Sequence, residues 1–540
     1  MSHAATQVSR VGGAKGASLV GAAPIENVLL MEDHDGAYHA WKRAGVNGRI
    51  LLHIDAHLDW AWIKGKDPLE ILEARTLAQV ESLLQERYLW NLSGRRSEEL
   101  IDIGNYVYPA LQEGIVREFY CILPDAFFEN PRIYRDVVTM FERFRQENPR
   151  GLKNIRQEHD RIVVEISGRQ VTACCLSNMP RIEEAVLLDI DTDFLTTHSM
   201  GPDLLRGDPW KQLPWIWPEE LVGRLLGLGV RTDFVTIAYS VEGGFTPLSY
   251  KYLGDELALR LKETTLPNRE RALMAHKRDG AFYRSRDELD RAIREYEQAM
   301  DLASEDASIH FNLAYLWDKK GKHDQAAARY RQAVQLDPTY GTAYNNFGSP
   351  YLALGMLDCA REEYLRILRW DPRHTDAHYG LAQTLVEKEQ WADAIGHYQR
   401  VLELRPDHAK AHRDLGGVYA ELGMREAAIL QLKQSIDVQP HDGWAFWRLG
   451  ELCSRQKHWD EAIDAYRGAL RCGFRAVAIY IKLGGLYLRK GRFYKAWRQY
   501  RQALPVLAGF VACSIGRKFR TLFNTLLRGV NRVQLRHPPL

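Results

Sequence analysis

The stretch LLHIDAHLDW, residues 51–60, sets two histidines and two aspartates behind an apolar run. Side chains two positions apart on a strand share one side. His53, Asp55, His57 and Asp59 therefore stand at alternate positions of a strand or of its unrolling end. Titratable groups are costly inside a core unless something offsets their charge. A second run, LLDIDTDF at 187–194, carries Asp189, Asp191 and Asp193, and a third, NVLLMEDHD at 27–35, carries His34. Carboxylates gathered in one cleft repel one another unless cations neutralise them. An oxygen-rich, thiolate-free donor set favours Mn2+, with Zn2+ or Fe2+ as other divalent candidates. The chemistry open to such a cluster is hydrolysis by a water ionised at the metal. Asp193 also reads as a support for the ligands or a helix N-cap, and His53 as a satisfied core histidine.

The elements that must position these residues alternate in type. Strand-like apolar runs at 48–55, 118–124, 185–191 and 233–240 are separated by helical patterns at 132–146 and 218–229. The latter opens on Pro218 and stops at Gly229, the usual helix punctuation. A hairpin is predicted over 161–176 with Ser167-Gly168 at its turn. Such alternation predicts an α/β domain of three layers, a mostly parallel sheet covered on both faces by helices. Ligands of such sheets sit at the carboxyl ends of the strands, where the acidic clusters fall. The aromatic stretch GDPWKQLPWIW at 207–217 reads either as a rim or lid over that site or as buried packing.

From about residue 273 the pattern changes. Prolines stand at 338, 372, 406 and 440, each 34 residues after the last. Twelve positions before each lies an alanine (326, 360, 394, 428), and 24 before lies Ala314, Gly348, Ala382 or Gly416. Tyr330, Tyr364 and Tyr398 keep the same frame, which extends to Gly280 and Tyr296, Gly450 and Tyr466, and Gly484 and Tyr500. This period and pattern resemble the tetratricopeptide repeat, a helix–turn–helix unit that stacks into a superhelix. The resemblance implies seven repeats over 273–508, an all-α array whose concave face binds a peptide or protein, substrate or partner. The expected packing puts small residues where the two helices of a repeat touch and the aromatic between neighbouring repeats.

The remaining segments are read from composition. Residues 1–25 form a flexible N-terminal segment, 26–265 the catalytic domain, and 509–540 a basic amphipathic helix or tail. In the tail, Arg517, Lys518, Arg520, Arg528, Arg532 and Arg536 interleave with Phe519, Leu522, Phe523, Leu526, Leu527 and Val530. It reads as a cap on the open end of the array, or as a contact for a membrane surface or nucleic acid. A chain of 540 residues exceeds one core, and 46% hydrophobic with 26% charged residues is an ordinary globular balance. The net charge of +2 gives no overall steer toward nucleic acid, so none is expected as partner. No run approaches the roughly 18–20 apolar residues that span a bilayer. Seven scattered cysteines without a CxxC pair point to a reducing, cytoplasmic setting. Oligomeric state is not legible.

In MEDHD (31–35), HIDAHLDW (53–60), IDIGNYVYPALQEG (101–114), LDIDTDF (188–194) and TIAYSVEGGFTP (236–247), the first half resembles the arginase/deacetylase superfamily. It is most similar to the subfamily containing peptide arginases. The resemblance covers about 26–250 and implies a pair of Mn2+ ions held by His34, Asp55, His57, Asp59, Asp189 and Asp191. Asp55 and Asp189 would bridge the ions, and Asp191 or Asp59 would orient the hydroxide nucleophile. Glu242 would grip the guanidinium of the substrate and belong to the catalytic set, with Asn105 and Tyr106 as further substrate contacts or as part of a buried turn. The implied reaction turns arginine in a peptide into ornithine plus urea. The histidine that donates a proton to the leaving amine in free arginases has no counterpart, since residues 60–158 contain no histidine. Two other readings stand beside this one: a different hydrolase of the superfamily, either an amine deacetylase or agmatinase-like, and a repeat scaffold with a vestigial metal site.

Overall fold

A computed structural model describes residues 25–32, 35–56, 90–91, 95–96, 107–129, 135, 138, 152–158, 160–166, 168–196, 210–241, 246–263, 265–342, 351–352, 355–472, 474 and 477–514. The chain divides into two compact units, 1–380 and 381–540.

The first unit opens with a sheet of eight strands. In chain order they are β1 (Asn27–Met31), β2 (Arg49–Ile54), β3 (Val116–Leu123), β4 (Leu152–Glu158), β5 (Arg161–Ile166), β6 (Arg169–Cys175), β7 (Ala185–Asp191) and β8 (Arg231–Ala238). Their spatial order is β1-β8-β7-β2-β3-β6-β5-β4. The first six in that order run parallel, and β5 and β4 close the far edge antiparallel. The expected hairpin is β5–β6, with Gly168 at φ 77° in the turn. The polar segment LKNIRQE of β4 was not expected as a strand. It pairs only with β5 and stands at an edge, where no apolar run is demanded of it. The helix expected over 132–146 lies outside the described residues, apart from Arg135 and Val138.

Alternation along the strands feeds two cores, one on each face. Leu52, Ile54, Leu188 and Ile190 pack with Leu221, Leu225, Leu253 and Leu257, which come from the helices Pro218–Gly227 and Tyr252–Lys262. Leu51, Leu187 and Phe119 face the other way, toward Tyr38 and Trp41 of the helix Asp35–Arg43 and Ala110 and Leu111 of the helix Val107–Gln112. This is the three-layer arrangement with a mostly parallel sheet. From β2 the chain passes to β3 on one side, and from β7 to β8 on the other. The gap between β2 and β7 is therefore the switch point of the sheet, where open α/β folds place their ligands.

Helical pairs follow. In the first unit they are Asn268–Ser285 with Leu289–Leu302, and Ala307–Lys319 with His323–Leu336, followed by Leu357–Trp370. In the second they include Ala409–Glu421 with Arg425–Val438, Gly443–Arg455 with Trp459–Arg471, and Val477–Arg489 with Phe493–Ser514. A Cβ at Gly280 would come within 2.7 Å of the Tyr296 ring, at Gly450 within 2.8 Å of Tyr466, and at Gly484 within 2.6 Å of Tyr500. The small residue thus makes room for the aromatic of its own repeat. The ring of Tyr364 also blocks a Cβ at Gly380 in the next helix, so the aromatic serves both contacts.

Within the first unit the sheet and the first repeats share a core. Trp210, 1% exposed, stacks on Tyr315 with ring centroids 3.7 Å apart and planes 9° from parallel. Arg284 donates from Nε to the Trp210 carbonyl at 3.0 Å and from Nη1 to Asn312. Asn312 in turn donates to the Ser249 carbonyl at 3.2 Å. Lys251 reaches Asp337 at 2.7 Å. Trp215 packs on Phe194 with centroids 5.1 Å apart. Of the described aromatics of 207–217, Trp210 is buried and serves the junction with the repeats, and Trp215 and Trp217 pack half-buried against the core. No disulfide joins the described cysteines. Among the described residues no helix is long and apolar enough to cross a membrane.

Candidate metal centre

β2 and β7 lie side by side in parallel register, with His53 opposite Asp189. Residues two apart share a side, so Leu51, His53 and Asp55 align with Leu187, Asp189 and Asp191 on one face of the sheet. His53 Nδ1 lies 3.0 Å from Asp189 Oδ2, and His53 Nε2 lies 3.1 Å from Asp55 Oδ2. Thr236, opposite Asp189 on β8, donates its hydroxyl to the other Asp189 oxygen. All of these groups are buried. Burial opposes a charge on His53, but the hydrogen bonds to Asp189 and Asp55 and the charges of both outweigh it, pushing its pKa up to about 10.

Beyond the last rungs of the ladder, Asp55, Asp191 and Asp193 converge. Each offers a carboxylate oxygen within 4.8 Å of the others, and all three are buried. Asp193 opens a one-turn helix, Asp193–Thr196. One of its oxygens accepts from the Ala56 amide at 3.2 Å, and its own amide donates to Asp191 Oδ1 at 2.9 Å. The Ser240 hydroxyl donates to Asp191 Oδ2 at 2.6 Å.

Among the described residues, the carboxylates that meet Asp55 are those of Asp191 and Asp193. Asp189 sits two residues inside the carboxyl edge, where the neighbouring strands hold its oxygens against His53 and Thr236. The β7 ladder ends at Asp191, and the turn that follows carries Asp193 over the edge. His34, His57, Asp59, Asn105, Tyr106 and Glu242 lie outside the described residues.

Ser240 was not anticipated by residue type. It adopts a left-handed backbone at φ 49°, an uncommon choice for a side-chain-bearing residue that the surroundings must enforce. Its amide donates to the Glu32 carbonyl at 2.8 Å, and its carbonyl accepts from the Thr246 amide at 3.1 Å. Thr192 donates to the Tyr239 carbonyl at 2.7 Å and bonds the Thr246 hydroxyl at 3.0 Å. Four adjacent strand ends are thereby laced together: β1 through Glu32, β8 through Ser240, β7 through Asp191 and Asp193, and β2 through Asp55 and Ala56.

The donor set fits a hard divalent cation. Three carboxylates brought this close in a buried site repel one another, and a bound cation would offset that repulsion. Carboxylates without thiolate suit Mn2+ or a similar hard ion.

The helical part is matched by family models. Tetratricopeptide-repeat models match residues 373–441 and 421–476, and a TPR-repeat model matches 319–355. The C-terminal region is a tetratricopeptide-repeat array. Solved structures similar to the chain include that of MamA (23% identity, covering 33% of this chain and 98% of that one, TM-score 0.30). Another is YrrB, titled a TPR protein with an unusual peptide-binding site (26% identity, 33% and 91% covered, TM-score 0.25). A third is Pseudomonas aeruginosa PilF (16% identity, 38% and 93% covered, TM-score 0.24). No curated protein matches the chain.

Proposed function

We propose that the sheet domain is an arginase-type, metal-dependent hydrolase that converts arginine within a peptide or protein into ornithine and urea. The tetratricopeptide array binds that substrate or a partner that delivers it. The observation carrying this reading is the convergence of Asp55, Asp191 and Asp193 at the switch point of a parallel sheet. These three would hold the metal, joined by His57 and Asp59, which follow β2 in sequence, and by His34, which follows β1. A pair of Mn2+ ions, or of other divalent ions, would supply the Lewis acidity that ionises water near neutral pH. His53 fixes the Asp55 carboxylate from behind, with Asp189 holding the far side of its ring. Ser240 orients Asp191 by its hydrogen bond. Glu242, two residues beyond Ser240, is the carboxylate assigned to the planar guanidinium, which carboxylates grip through paired hydrogen bonds.

A repeat array binds extended chains, and tethering a substrate beside a site raises its effective concentration there. That is why a peptide suits this chain better than free arginine. The work is assigned to the cytoplasm, where reduced cysteines persist. The test is incubation of the Mn2+-loaded full chain with arginine-containing peptides. The reading requires urea and a mass loss of about 42 Da per converted residue, the difference between arginine and ornithine once a C–N bond is hydrolysed. Acetate from acetylated lysine, or urea from agmatine alone, would move the assignment elsewhere in the superfamily. No product from any of these would leave the repeat scaffold.

A further inference from the structure

Charge in this chain is segregated. After Asp464 no acidic residue occurs through Leu540, whereas 16 of the 72 Lys and Arg do. The first 464 residues are consequently net negative, and the last 76 strongly positive. The same region exposes its largest apolar side chains. On the final helix Phe493 is 71% exposed, Tyr494 79% and Trp497 41%, and on the helix before it Ile481 is 47% and Leu488 43%. Lys482 and Lys490 are paired with Glu451 and Asp460. Arg489, Lys495, Arg498 and Arg501 make no ion pair among the described residues. Beyond Arg501 the final helix runs on to Ser514, and residues 502–516 carry no charge before Arg517 and Lys518 resume.

We infer that this last repeat is a docking surface for an anionic lipid bilayer. The partner is anionic, because Arg489, Lys495, Arg498 and Arg501 have no ion pair among the described residues and no acidic residue follows Asp464 in the chain, so this surface attracts negative charge at low salt. It must also receive apolar groups. Isoleucine and leucine do not stack on bases, which the binding of single-stranded nucleic acid uses. They do insert at the boundary between headgroups and acyl chains, where tryptophan and tyrosine also settle. The surface would hold the protein peripherally at a membrane.

The test is co-sedimentation of the full chain with vesicles of phosphatidylcholine, with and without phosphatidylglycerol. The proposal requires at least about tenfold stronger partition onto the anionic vesicles, falling as salt is raised. Two variants probe its two halves, Phe493→Ser/Tyr494→Ser/Trp497→Ser and Lys495→Glu/Arg498→Glu. All five residues are exposed, so helical circular dichroism should be unchanged while partition drops roughly tenfold or more in each. Equal partition onto neutral vesicles overturns the proposal, as does partition indifferent to both variants. Preference for a single-stranded oligonucleotide that displaces the chain from vesicles would do the same and assign the surface to nucleic acid.

Discussion

Asp189 and His53 face each other across the ladder of β2 and β7, with Oδ2 3.0 Å from Nδ1. That contact separates two kinds of aspartate in one five-residue stretch. Asp189 supports a histidine that supports Asp55, whereas Asp191 and Asp193 meet Asp55 directly.

Asp189→Asn and Asp193→Asn should therefore fail differently. Residues behind a metal ligand typically change affinity by about 10–100-fold, and removing one partner of a buried ion pair costs roughly 3–5 kcal/mol. Asp189→Asn is expected to lower the denaturation midpoint of the metal-free protein sharply and to retain weakened Mn2+ binding. Asp193→Asn should unfold near the wild-type midpoint while binding far less metal. Calorimetric titration with Mn2+ beside thermal denaturation reads both.

Substitutions at Ser240 pull in opposite directions. Ser240→Ala removes the hydroxyl that orients Asp191 and keeps the strained left-handed backbone. Ser240→Gly removes the same hydroxyl and relieves a strain on the order of 1 kcal/mol. The glycine variant should be the more stable of the two, and both should lose about tenfold in Mn2+ affinity.

Trp210 is the hinge pin of the sheet and the first repeats. Trp210→Ala removes a ring stacked on Tyr315 and should cost about 3–5 kcal/mol. Amide exchange should speed up in Asn268–Ser285 and Ala307–Lys319 and leave β2 and β7 protected. Equal loss of protection everywhere would contradict a local junction.

Asp318 gives the array an acid limit. Burial alone would raise its carboxyl, but hydrogen bonds from Arg369 at 2.7 and 3.1 Å and the charge of Arg366 hold it below the ordinary carboxylate value. A carboxyl lowered by folding stabilises above its unfolded pKa of about 3.9 and loses that contribution as pH falls through the lower folded value. Stability measured by urea denaturation should decline below about pH 4, and Asp318→Asn should flatten that decline.

Much of this was legible in the residues. The repeats were plain because the 34-residue frame is written several times over, and steric need enforces it: Gly280, Gly450 and Gly484 each lie against a tyrosine. The strands β2, β7 and β8 were legible as apolar runs because they are buried on both faces. What the residues alone leave open is depth along a strand. Asp189, Asp191 and Asp193 are chemically alike at one spacing, and only the neighbours His53 and Thr236 decide which stays inside the sheet. Ser240 and the Trp210 contact with Tyr315 were hidden for a related reason. The first owes its role to a backbone angle, the second to a partner 105 residues away.

The most direct test of the metal centre is elemental analysis of the full chain after loading with Mn2+ and gel filtration. The account expects about two equivalents retained by the wild type and almost none by Asp55→Asn/Asp191→Asn/Asp193→Asn. Wild-type protein that retains no metal, or a triple variant that retains as much, would contradict it.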